Sequence, residues 1–238
     1  MLNNLQHQKI VIAGGSSGIG LATAKLLLAQ NASITITGRD QSKLEKVKNE
    51  FPTLKAVHLD SSNTQSLQKF FSENGTFQHL VIAVSGAKGG GPFSTLSLAD
   101  LREGFEAKFW AQLQTIQAAL PYLQKDGSIT TVTATSSSAR LPGTSGLAAI
   151  NGSLEIMVPI LAKELQPLRI NAVSPGVIDT DWWNFLNEQD KKATFEQFSK
   201  QVCVGRIGKP EEVANAIFSL ISNTYINGTI LSCDGGLK

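Results

Sequence analysis

At 238 residues the chain is long enough for one large α/β domain or two small ones. With 42% hydrophobic and 17% charged residues it has the ordinary mixture of a soluble globular protein with a sizeable core. Its 21 basic and 19 acidic residues leave a formal charge of +2, which predicts neither a nucleic-acid nor a membrane-surface partner.

The N-terminal MLNNLQHQKIVIAGG lacks a basic segment followed by an apolar stretch and a small-residue cleavage site. No apolar run is expected to approach the ~20 residues of a membrane helix. Cys203 and Cys233 lie too far apart for a short metal-ligand pair. A disulfide between them stays open, but two thiols in an otherwise unstapled chain suit a reducing compartment, so a cytoplasmic location is expected.

In chain order, KIVIAG (9–14) reads as a strand that runs into GGSSGIG and then the helical LATAKLLLAQ. Gly14, Gly18 and Gly20 leave the backbone unobstructed, so a pyrophosphate can approach the amides and positive dipole end of the following helix. The second strand, SITITG (33–38), ends in GRD. A site that prefers a free ribose hydroxyl usually places an acidic side chain here. Gly38 offers none, and Arg39 offers a guanidinium suited to a phosphate, hence NADP(H). The other reading is a surface arginine paired with Asp40.

Helical spacing follows in SKLEKVKNE, then the strand LKAVHL (54–59), the helical NTQSLQKFFSEN and the strand HLVIAV (79–84). SGAKGGGPF (85–93) is a loop in which Lys88 reads as a solvated lysine. One long helical segment is expected from Ser97 to Leu123. SITTVTAT (128–135) is the fifth strand, 145–166 a further helix with Ser145 near its start as N-cap, and RINAVS (169–174) the sixth strand. An irregular insertion at about 179–201, carrying Trp182, Trp183, Phe185, Phe195 and Phe198, precedes the helical PEEVANAIFSLISN and the last strand, GTILSC (228–233). The insertion reads either as a lid over an apolar or aromatic substrate or as packing for its own segment. His7, His58 and His79 have no partner motif and read as core or surface residues. The near-continuous apolar strands alternating with helices predict one doubly wound, seven-stranded parallel α/β sheet, a single Rossmann-type domain over 1–238.

These segments together resemble the short-chain dehydrogenase/reductase family, in its compact single-domain form, essentially end to end. AGGSSGIG matches the family's glycine turn with Ala13 replacing a Thr. Asp60 matches its adenine-contacting Asp, and SPGVIDT (174–180) its Pro-Gly segment, whose Thr, here Thr180, binds the nicotinamide amide. RIGKPEEVANAIFSLIS and INGTILSCDGG match its C-terminus. The resemblance implies an NADP(H) site on Gly14, Ser16, Ser17, Gly18, Ile19, Gly20, Arg39, Asp60, Ser61, Ser85, Gly86, Pro175, Gly176, Ile178 and Thr180. It also implies a small-molecule substrate and a homo-oligomer, often a tetramer joined through two long helices.

The catalytic set departs from the family's. In register with GSLEIMVPILAKELQPLRINAVSPG, the usual Tyr and Lys fall on Leu147 and Asn151. The usual Ser falls on Ala134, the Asn of the preceding helix on Lys108, and Asn-Asn-Ala-Gly on Ala83-Val84-Ser85-Gly86. A positioned general acid contributes about 10²–10⁴-fold in rate, so its loss without a substitute would cripple an enzyme. Lys108 and Asn151 read as a compensated exchange, the ammonium reaching the same site from the other helix. The alternative is a lysine whose charge emerges at the surface. A shift of one or two residues would bring Thr135 or Ser136 to the vacant Ser place; otherwise TATSSS is a polar strand end satisfying its own backbone. The leading function is therefore an atypical NADP(H)-dependent oxidoreductase with Lys108, Asn151 and Ser136 as its catalytic candidates. The alternative is a catalytically silent NADP(H)-binding sensor, regulator or partner subunit.

Overall fold

The computed structural model describes residues 5–237. Seven parallel strands form its sheet: β1 (Lys9–Ala13), β2 (Ser33–Gly38), β3 (Lys55–His58), β4 (Phe77–Ile82), β5 (Leu123–Val132), β6 (Arg169–Pro175) and β7 (Ile230–Cys233). Their order is β3-β2-β1-β4-β5-β6-β7. The helices are α1 (Gly18–Ala29), α2 (Gln41–Glu50), α3 (Thr64–Asn74), α4 (Leu98–Gly104), α5 (Ala111–Ala119), α6 (Ser136–Ala139), α7 (Ser145–Glu164), α8 (Glu188–Ser199) and α9 (Pro210–Ser222).

Helices on both faces explain why the strands read as continuous apolar runs. Along β1, Ile10 and Ile12 pack with Leu27, Val213 and Ile217 of α1 and α9, while Val11 and Ala13 pack with Phe71, Leu80 and Ile116 on the opposite side. Each such fully buried side chain contributes about 1.5–3 kcal/mol. The strand order reverses direction between β1 and β4. There the chains leaving the two strands part, and a crevice opens at the carboxyl ends.

Side chains finish the helix ends. Asp40, Asn63 and Ser97 accept from the amides of Lys43, Ser66 and Asp100 at the starts of α2, α3 and α4. At the other end of α9, the buried Arg169 guanidinium on β6 donates to the carbonyls of Leu220, Ile221, Asn223 and Ile226 at 2.7–3.2 Å.

Four local expectations are corrected. The segment from Ser97 to Leu123 is not one helix: α4 passes into a wide π turn at Phe105–Trp110 before α5, and Pro121 closes it in a 3-10 turn. The fifth strand stops at Val132: the amides of Thr133 and Thr135 still donate to Val173 O and Pro175 O of β6, but the chain then turns into α6. The insertion is ordered as a 3-10 turn (Asp181–Phe185) followed by α8. Finally, α7 is long and apolar enough to cross a membrane by length and composition alone, contrary to the expectation of no such run. Here its Ile150, Leu154, Val158 and Ala162 are buried in the fold.

His79 on β4 is buried between Ser128 Oγ (2.8 Å) and Gln8 Oε1 (2.6 Å), a core role. Burial, and then the positive charge of Arg169, push its imidazole down to about 4. The unfolded chain therefore binds more protons between about pH 6.5 and 4. Urea unfolding is expected to show roughly 3 kcal/mol of stability lost as the pH falls through this window. A His79→Gln variant should lack most of that slope.

Candidate active site

A cleft of about 570 Å³ lies over the crevice between β1 and β4. Its floor is the turn from Gly14 to Gly20. Gly14 has φ +78°, and a Cβ there would stand 2.8 Å from the backbone of Ala83 on the chain leaving β4. At Gly20 a Cβ would stand 2.1 Å from Gly14 O, so α1 can seat on the turn only through a glycine. Ser17 precedes α1 in extended conformation with no side-chain cap bond, and the helix has no acidic residue in its first turn. Its first amides have no intrahelical acceptors, and its dipole is uncompensated. This is a cradle for an anionic group such as a pyrophosphate, and the residues present fit a dinucleotide.

Around that floor, Ser16, Ser17, Ile19, Arg39, Asp60, Ser61, Ser85, Gly86, Pro175, Gly176, Ile178 and Thr180 all line the cleft. Arg39 is exposed and makes no ion pair among the described residues, and Asp40 is spent on capping α2 rather than on Arg39. Asp60 is drawn upward by partial burial. The Ser62 amide and hydroxyl (2.9 and 2.8 Å) and the nearby Arg39 outweigh this and hold its carboxyl below the usual range. Thr180 lies against Gly18, and its hydroxyl oxygen accepts from Trp182 N.

Lys108, Asn151 and Ser136 line the same cleft. The π turn carries Lys108 inward, leaving it 7% exposed, and its Nζ donates to Thr133 O at 3.1 Å. Burial pushes the ammonium down to about 8, against an upward pull from Glu155. Asn151 Nδ2 donates to Ser136 Oγ (3.1 Å) and Leu147 O (2.9 Å), while its Oδ1 is buried without a hydrogen-bond partner among the described residues. Leu147 is part of the cleft wall.

Above the cleft the insertion both packs and roofs. Trp182 Nε1 donates to Gly86 O (3.0 Å) and Trp183 Nε1 to Ile178 O (2.9 Å). Trp183 lies against Phe195 and Phe198, and Trp182, Trp183 and Phe198 all line the cleft. Two minor expectations are corrected. Lys88 is not a free loop cation, since it bridges Asp100 (3.0 Å) and Glu103 (2.9 Å). Ser145 is the first helical residue of α7, and Thr144 stands at the cap without a side-chain cap bond. Cys203 and Cys233 are free thiols.

Three contributors escaped the sequence reading. Gln112, four residues beyond Lys108, donates to Val84 O and Val132 O across the tops of β4 and β5. Lys43 reaches from α2 to Asp181 at 2.7 Å, tying the insertion to the other wall of the cleft. Glu155, one turn beyond Asn151, accepts from Thr133 Oγ1 (2.7 Å) and Ser174 Oγ (2.9 Å). Only helical spacing from Lys108 and Asn151 could have pointed to Gln112 and Glu155.

A doubly wound sheet with a glycine turn feeding a helix N-terminus at its switch point defines a dinucleotide-binding α/β protein. Known proteins narrow this. A family model described as Enoyl-(Acyl carrier protein) reductase matches residues 13–238. The chain is 31% identical to the 3-oxoacyl-[acyl-carrier-protein] reductase of Mus musculus, over 95% of this chain and 96% of that one. It is 28% identical to the Short-chain dehydrogenase/reductase ATR9 of Stachybotrys chlorohalonatus, over 98% and 97% of the two. Among solved structures, a small-chain dehydrogenase in complex with NADPH superposes with a TM-score of 0.85 at 28% identity, covering 98% of this chain and 99% of that one. This chain belongs to the short-chain dehydrogenase/reductase family.

The buried ammonium makes its own prediction. With Lys108 lowered from 10.5 to about 8, the unfolded chain binds more protons between those values. Stability is thus expected to rise with pH across that window by roughly 3 kcal/mol from this group. Lys108→Met should remove that rise in urea unfolding and should be the more stable protein at pH 7.

Proposed function

We propose that this protein is an NADP(H)-dependent oxidoreductase that interconverts a carbonyl and an alcohol on a small apolar or aromatic molecule, using Lys108 and Asn151 where its family uses Lys and Tyr from α7. The observation that carries this reading is the Lys108 ammonium, turned into the cleft onto Thr133 O instead of out to solvent.

The residues present fit NADP(H). The amides of Gly18 to Gly20 would hold the pyrophosphate, Asp60 and Ser61 would border the adenine, and Arg39, unpaired beside Gly38, would take the 2′-phosphate. Thr180, Pro175, Gly176, Ile178, Ser85 and Gly86 border the nicotinamide end. NADPH, when bound, supplies the hydride that reduces a carbonyl carbon.

As that carbon is reduced, the electron pair of the C=O π bond passes to oxygen, which takes a proton from the Lys108 ammonium. The free amine recovers its proton from solvent when product leaves. With a pKa of about 8, Lys108 is protonated at neutral pH yet close enough to it to give the proton up. Asn151 and Ser136, hydrogen-bonded to each other, line the same cleft. Leu141, Leu147, Trp182, Trp183 and Phe198 exclude water and offer an apolar face. Exposed Trp110 on the π turn and Ile156 and Ile160 on α7 support assembly as a homo-oligomer through these helices. One observation favours the second reading, a silent NADP(H)-binding sensor, regulator or partner subunit: Leu147 gives this cleft no hydroxyl where the family has its acid.

Fluorescence titration should give tight NADPH binding that Arg39→Ala weakens by about tenfold or more while leaving NADH affinity nearly unchanged. With a panel of aromatic ketones and aldehydes, NADPH consumption should fall as the pH rises through about 8, as the ammonium is lost. Lys108→Ala should cost on the order of 10²–10⁴-fold in turnover with NADPH affinity held. NADPH binding without turnover of any carbonyl would select the silent reading, and turnover indifferent to Lys108→Ala would end the role given to that residue.

A further inference from the structure

Lys108 and Glu155 are joined through a single residue. Thr133, just past the end of β5, offers its carbonyl oxygen to Lys108 Nζ (3.1 Å) and donates its one hydroxyl proton to Glu155 Oε1 at 2.7 Å, with Val173 O farther off at 3.2 Å. Ser174 on β6 donates to the same carboxylate oxygen at 2.9 Å. Two hydroxyls from adjacent strands thus fix the carboxylate, and the carboxylate in turn fixes the Thr133 peptide whose carbonyl receives the ammonium. Glu155 is not among the residues that line the cleft, so it has no direct access to a substrate.

We propose that Glu155 is a positioning residue for Lys108: working through Thr133, it sets where the ammonium sits, and its negative charge keeps that buried ammonium protonated. The proposal rests on the reading of Lys108 as proton donor.

The electrostatic side has few contributors. The π turn packs against α4, α5 and α7. Their charged residues are Asp100, Arg102 and Glu103 on α4 and Glu155, Lys163 and Glu164 on α7; α5 has none, and Glu106 shares the turn itself. Of these, Glu155 is the charge that pulls the Lys108 pKa upward, against the larger lowering by burial. An isolated ammonium in this place would lose its proton readily, since desolvation disfavours the charged form and an opposite charge nearby restores it. A carboxylate in direct contact would bind the ammonium in a closed ion pair. One held a residue away leaves two of the three N–H donors of Lys108 without a hydrogen-bond partner among the described residues.

The test reads the Lys108 titration directly, by lysine-selective NMR on the full chain, without any turnover. The wild-type midpoint is expected near 8. Glu155→Gln should lower it by ~1 pH unit or more, Glu155→Asp should hold it close to wild type, and NADPH affinity by fluorescence should persist in both. Thr133→Val, which keeps the carbonyl but releases Glu155, should also lower the midpoint, and it carries the test if Glu155→Gln does not fold. An unmoved midpoint in the folded variant overturns the link between Glu155 and Lys108. Turnover that survives Lys108→Ala would instead overturn the proton-donor reading and leave the link standing, so the two failures are distinct.

Discussion

The site depends on one close approach of backbones, at the point where β1 and β4 lie side by side and their chains diverge. Gly14 leaves β1 at positive φ against the backbone of Ala83, and Gly20 brings the first turn of α1 directly onto Gly14. A side chain at either place would drive the helix off the turn, because the obstructing atoms are backbone and cannot rotate away. Everything that the cleft offers an anionic ligand follows from this contact: the inward-facing amides, the uncompensated helix dipole, and a floor low enough for the walls of β2, β4 and β6 to close around it. The Lys43–Asp181 pair and the Trp182–Gly86 hydrogen bond then tie the aromatic insertion to the two sides of that floor.

The two ends of the cleft obey different constraints. At one end, Arg39 and Asp60 stand on loops after β2 and β3 and need only the right side chain at the right strand end. Arg39 was picked out by its place after the second strand, and Asp60 by the family resemblance. At the other end, the expected residues depend on how two helices are rotated. The π turn at Phe105–Trp110 places Lys108 against Thr133, whereas an unbroken helix from Ser97 to Leu123 would not have specified its direction. Periodicity announces that a helix exists, not where it widens, so the side on which the Lys108 charge would emerge stayed open until the fold was known.

The same distinction explains the other differences. The strands, their order class and the glycine turn were readable because buried parallel strands and a strand–turn–helix leave strong local patterns. The end of β5 was read three residues too far because the β-branched run continues through Thr133 and Thr135 with no residue to mark the turn into α6. Glu155 drew no attention, since a lone glutamate in an apolar helix reads as surface. Its role appears only when β5, β6 and α7 converge. Lys88 was assigned to solvent because its partners, Asp100 and Glu103, lie on a helix whose docking against the loop no spacing reveals.

One ammonium and one carboxamide, Lys108 and Asn151, face the same cavity, the long side chain starting from the π turn and the short one from α7. Asn151 is held by Ser136 and Leu147 O, and Lys108 spans the gap to Thr133. Burying an ammonium costs several kcal/mol unless it is paired, and here its countercharge sits one residue away. An apolar side chain of similar length, such as methionine, would fill the same space without that cost. A protein that merely held a dinucleotide would gain stability by such a change, so a charge kept in the cleft wall at a stability cost supports a role for that charge in what the cleft does.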